Sequence, residues 1–216
     1  MKITHLQLLA QELAPLRAFY EGKLGLSVTH STEQELTFRV GYSALSFVKT
    51  EEVATYHYAI NIPYSVVDSA LSWLQERVKV EPFEGQELVD FPHWQAKAMY
   101  FVDPAGNIGE LIGRQDISTD VAGAFSPAHY LGISEIGVAS RNIPRLSQEL
   151  TAHFGLARYS GDGQRFQAMG DPQGLFIIVN PDLKTWIPIG LPLSEAPFEV
   201  AFQVGSGPIQ RMELRG

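Results

Sequence analysis

The chain has 216 residues, 45% of them hydrophobic and 19% charged, a globular balance with length for one large domain or two small ones. A formal charge of −8 and the lack of any basic run argue against a nucleic-acid groove or an anionic membrane as partner. With no cysteine, disulfides, thiolate metal sites and Cys nucleophiles are excluded.

The opening "MKITHLQLLA" reads as a strand and is too short in its apolar part for a signal peptide. No apolar run approaches the roughly 20 residues that span a bilayer, so the expected compartment is the cytoplasm. The first strand leads into a helix with Pro15 near its start and Gly25 as a left-handed stop. "ELTFRV" and "SALSFVK" follow as strands. A second unit opens at "YHYAINI" and continues into "SVVDSALSWLQERV", a helix expected to be capped by Ser65 with help from Asp68. It closes on "MYFVDPAGNIGELIG", which reads as strand, tight turn, strand. Residues 115–131, rich in small and turn-forming types, read as a linker.

A third unit starts at Ile133. From His5 to Gly25 is 20 residues, and from Glu135 to Gly155 is again 20, with Pro144 placed as Pro15 is. "QRFQAMG" and "GLFIIV" are its later strands, and "FEVAFQV" begins a partial fourth unit. The expected fold is therefore α+β: repeated βαβββ modules forming cupped mixed sheets, with a degenerate third module and a partial fourth. Residues 1–114 are expected to hold two paired modules carrying the site, and 132–216 the rest.

Glu110 poses the chemical question. A carboxylate inside a strand that otherwise reads as buried needs a partner. Period-two alternation puts Ile3, His5 and Gln7 on the face of the first strand away from Leu6 and Leu8, and His57 and Asn61 on the matching face of the strand that opens the second unit. His5, His57 and Glu110, each on a rigid strand, are candidate ligands of one divalent metal. Neutral imidazole and carboxylate suit iron, manganese, zinc, nickel or cobalt, and three protein ligands leave positions open for substrate. Gln7 and Asn61 are candidates to orient that substrate. Glu135 and Glu199 stand at the histidine position of the later units, as a ligand pair of their own or as packing and ion-pair residues. His30, His129 and His153 read as surface residues.

The stretches "THLQL", "FYEGKLGL", "YHYAI" and "YFVDPAGNIGELIG" resemble the vicinal oxygen chelate superfamily, which includes glyoxalases, bleomycin-resistance proteins and extradiol dioxygenases. The resemblance implies paired modules around a metal held by His5, His57 and Glu110. It implies a pocket bordered by His93, Trp94, Lys97 and Tyr100, with His93 or Tyr100 in an acid–base role. Alternation places Lys97 and Tyr100 on opposite faces. The fourth ligand of glyoxalases has no counterpart, because Ala44, Ser46 and Val48 occupy that strand's cup side. The leading expectation is thus a ring-cleaving dioxygenase with Fe(II) and a small oxygen-chelating substrate. The alternatives are a lyase, isomerase or thiol transferase with Mn, Zn, Ni or Co, and a protein that sequesters a drug-like molecule. Such a protein is expected as a monomer or homodimer.

Overall fold

The structure is a computed structural model that describes residues 1–117 and 120–214; Ser118 and Thr119 of the linker lie outside the described residues, as do residues 215 and 216 of the partial fourth unit. The first module comprises β1 (Lys2–Ala10), α1 (Leu13–Arg17) widening into a π-type turn (Ala18–Lys23), β2 (Ser27–Ser31), β3 (Glu35–Val40) and β4 (Ser43–Lys49). The second comprises β5 (His57–Ile62), α2 (Val67–Gln75), β6 (Val80–Glu81), β7 (Val89–Phe91), β8 (Ala96–Val102) and β9 (Ile108–Arg114). The third comprises β10 (Gly132–Ala139), α3 (Ile143–Phe154), β11 (Arg158–Gly161), β12 (Phe166–Asp171) and β13 (Gly174–Val179). β14 (Phe198–Gln203) and β15 (Ile209–Leu214) form a hairpin that begins the fourth.

The modules pair differently from the expectation. The first sheet runs β15-β14-β1-β4-β3-β2, and the second runs β11-β12-β13-β10-β5-β9-β8-β6 with β7 on β8. Module one therefore joins the fourth fragment, while module two joins module three through antiparallel β5 and β10. The reason lies in the buried faces. Leu6 and Leu8 of β1 and Tyr58 and Ile60 of β5 belong to one core, so the two leading strands share a core between sheets instead of lying side by side. Alternation on one strand says which face is buried, not which neighbour lies at its edge.

Local punctuation follows the sequence in part. Asn142 caps α3 by accepting from the Arg145 amide at 3.1 Å, and Gly155 ends it at φ 69°. Ser65 does not cap α2. Its hydroxyl donates to the Val121 carbonyl of the linker at 3.3 Å, and the helix starts two residues later. An irregularity of the β1–β14 register between Ile3 and His5 sends Ile3 into the core with Leu6, instead of to the His5 face. Among the described residues, no helix is long and apolar enough to cross a membrane.

The turn "DPAGN" is built around a buried carboxylate. Asp103 accepts from the amides of Ala105 and Asn107, both at 2.9 Å, from Asn107 Nδ2 at 2.8 Å and from the Tyr20 hydroxyl at 2.7 Å. Tyr20 also bonds the Tyr58 hydroxyl, so this turn ties module one to module two. Burial pushes the Asp103 carboxyl above its ordinary 3.8, against the pull of Tyr20 and Asn107. Between the unfolded and folded values the native state holds the extra proton. Stability from this group is thus complete below 3.8 and is lost as pH rises through the raised value. The stability difference between the native protein and Asp103→Asn, from urea titrations at about pH 4 to about 7, will shrink as pH rises. A difference that grows would mean that the hydrogen bonds outweigh burial.

Candidate functional site

The open face of the second sheet carries the polar cluster. On the parallel pair β5–β9, Ala59 is opposite Glu110, and on the antiparallel pair β5–β10 the same Ala59 is opposite Glu135. His57 stands two residues earlier on the same face. Two carboxylates thus flank one alanine, with an imidazole above them. His57, Glu110 and Glu135 are all buried. His57 Nε2 lies 3.0 Å from Glu110 Oε2, and Tyr100 of β8 stands opposite Glu110 in the β8–β9 register. Burial, then the charge of Glu110, keeps the Tyr100 phenol well above its ordinary range, so it remains a neutral donor.

Glu135 has a partner that the sequence reading overlooked. Arg114, four residues beyond Glu110 on the same face of β9, is 1% exposed and ion-paired to Glu135. Its guanidinium carbon lies 5.2 Å from the centre of the Trp94 ring. Burial and repulsion by Glu110 push the Glu135 carboxyl up to about 7, outweighing the pull of Arg114.

A cavity of about 260 Å³ opens over these groups. Strands supply His57, Tyr100, Glu110 and Glu135; the segment before β8 supplies Phe91 and Trp94; β12 supplies Phe166; and the loop after β13 supplies Lys184, Thr185, Trp186 and Ile187. The Trp186 ring centre is 5.3 Å from that of His57. Gly137 of β10 makes room for it, since a Cβ there would run into the indole.

The sequence candidates separate accordingly. His57, Glu110, Tyr100 and Trp94 meet at this cavity. His5 does not join them, because β1 lies in the other sheet. Its Nε2 is 2.8 Å from Ser46 Oγ, which is 2.7 Å from Thr37 Oγ1, which donates to Glu35 at 3.2 Å. Burial leads in lowering the His5 pKa, with Glu35 and Glu199 opposing it. Gln7 is also on the first sheet, opposite Ser46 on one side and Glu199 on the other. Asn61 shares the face of His57 but donates to the Pro172 carbonyl at 3.1 Å and does not line the cavity. His93 is exposed and Lys97 half-buried on the face opposite Tyr100; neither lines the cavity.

The two sheets repeat one frame. His5, Ser46 and Glu199 surround Gln7 in the register in which His57, Glu110 and Glu135 surround Ala59. Serine in place of glutamate leaves the first sheet without the carboxylate that His57 meets in the second.

No family model and no curated protein sequence matches the chain. Among solved structures, a protein from Bacillus subtilis described as a candidate dioxygenase superposes with a TM-score of 0.59 at 18% identity, over 83% of this chain and 63% of its own. A glyoxalase I variant from Zea mays superposes with a TM-score of 0.57 at 13% identity, over 83% of this chain and 68% of its own. The chain has the vicinal oxygen chelate fold. It spans less than two thirds of the length of the Bacillus protein.

The spacing of the donors at the cavity bears on whether they could hold an ion. Two donors at right angles on an ion, each about 2.1 Å from it, stand about 3 Å apart, which is the separation of His57 Nε2 and Glu110 Oε2. Glu135, the third candidate donor, is held by Arg114, and among the described residues no three His, Asp or Glu side chains are grouped to hold an ion. The cluster thus fits a divalent ion through two protein donors, with the remaining positions open.

Proposed function

We propose that the cavity on the second sheet binds a small aromatic compound with two adjacent oxygens, beside one divalent metal held by His57 and Glu110. The observation that carries this reading is the coincidence of a buried imidazole–carboxylate pair with an aromatic-lined pocket of single-ring size. A bound metal would act as a Lewis acid toward the ligand oxygens and, as Fe(II), would allow reaction with dioxygen.

The chain's own groups do the positioning. Trp94, Phe166 and Trp186 enclose a flat ring and keep water from it. Tyr100, opposite Glu110 on the cavity wall and kept neutral by burial, offers its single hydroxyl proton to a ligand oxygen. Ring-cleaving dioxygenation is the reaction that we favour for this set. Isomerase, lyase or thiol-transfer chemistry would follow with Mn, Zn, Ni or Co in the same place.

One observation favours a second reading. With Glu135 engaged by Arg114, the aromatic walls could hold a drug-like molecule without turnover, as a sequestering protein does. Anaerobic purification, elemental analysis and oxygen uptake with a panel of catechols separate the two. A metal near one per chain with oxygen consumption supports the enzyme. Tight catechol binding without metal or oxygen uptake supports sequestration, and neither binding nor uptake sinks both.

A further inference from the structure

Glu110 and Glu135 sit on either side of Ala59, and symmetry of position makes both candidates for the same ion. Only one of them is paired with His57. The other is bound to a fully buried guanidinium that rises from the same strand as Glu110. A guanidinium and a divalent metal compete for carboxylate charge and lone pairs, and here Arg114 Nη2 engages Glu135 Oε1 in a charge-assisted bond.

We propose that Arg114 withholds Glu135 from the metal position, so that an ion in the second sheet meets two protein donors instead of three. The proposal rests on the reading of His57 and Glu110 as metal donors, and its test separates the two. Arg114 is held by little else. Its Nε and Nη1 are buried without a hydrogen-bond partner among the described residues, and beyond Glu135 its main neighbour is the face of Trp94. Glu135 and the indole are therefore what fix the guanidinium, and neither bond would survive the departure of Glu135 to an ion unchanged. The competing arrangement is the ordinary supporting role, in which Arg114 steadies a Glu135 that is itself a ligand. The two arrangements assign opposite signs to the loss of the arginine.

The test is the affinity of the chelator-treated full chain for Mn(II) and Zn(II), measured by calorimetry and by the shift in melting temperature. If Arg114 withholds Glu135, Arg114→Gln will bind either ion at least about tenfold more tightly than the native protein, because a third carboxylate joins. Glu135→Gln will stay within about twofold of the native affinity. Weaker or unchanged binding by Arg114→Gln overturns the proposal, as does a tenfold loss in Glu135→Gln. If only Arg114→Gln binds, the proposal stands and the native metal reading falls. If neither the native chain nor the variant binds, both fall. Should Arg114→Gln be unfolded without metal, recovery of native circular dichroism on adding Mn(II) supports the proposal, and no recovery overturns it.

Discussion

Replacing Arg114 with methionine is expected to lower the unfolding free energy by about 3–5 kcal/mol in the absence of divalent ions. The size follows from what stays behind. Glu135 is 3% exposed, and Arg114 is its cationic partner; Glu110 on the far side of Ala59 adds repulsion. A buried carboxylate stripped of its counter-charge keeps the whole desolvation penalty and loses the attraction that offset it. Removing both charges together is a different case, since two apolar groups of similar volume restore packing without an unpaired ion. Arg114→Met/Glu135→Leu will therefore recover most of the loss, and the strong non-additivity will show in a double-mutant cycle from urea denaturation. A single-mutant loss of less than about 1 kcal/mol is the size of a surface ion pair and would show that Arg114 is not buried as described.

The second large effect concerns the metal. His57→Ala and Glu110→Ala will each weaken Mn(II) or Zn(II) binding by more than about 100-fold, the upper range for losing even an outer-sphere partner. His5→Ala will change it by less than about twofold. The contrast follows from topology. His57 and Glu110 are 3.0 Å apart on neighbouring strands, whereas His5 is in the other sheet, committed to Ser46. Calorimetry on the three variants decides it, and a large loss confined to His5→Ala would move the ion to the first sheet.

Much of the architecture was legible along the chain, because each module states its own plan locally. The strand "GLFIIV" coincides with Gly174–Val179 and "SALSFVK" with Ser43–Lys49, since short apolar runs bounded by turn residues leave little choice of boundary. The stop at Gly155 was equally plain, because a left-handed residue ends a helix cheaply only as glycine. Ser65 misled. A serine ahead of an apolar helical run fits a cap, yet the hydroxyl found the Val121 carbonyl of a distant segment. The position of Arg114 on the face of Glu110 could have been read from alternation in "GELIGR"; its burial could not, because an arginine ending a strand is ordinarily solvated. Trp186 gave no signal at all, coming from a loop whose approach to His57 depends on Gly137 in another strand.

The sequence by itself determined the repeating β-α-β-β-β unit and most of its strand faces, those of His57 and Glu110 among them. These rest on short-range rules: period-two alternation and turn chemistry. Only the tertiary structure decided which modules share a sheet, and with that decision His5 left the site and Glu135 and Arg114 entered it. The physical reason is that the edges of β1 and β5 offer the same unpaired backbone groups to any strand of matching direction. The choice between them is made by how all the apolar faces close around one core, and no single stretch of chain contains that information.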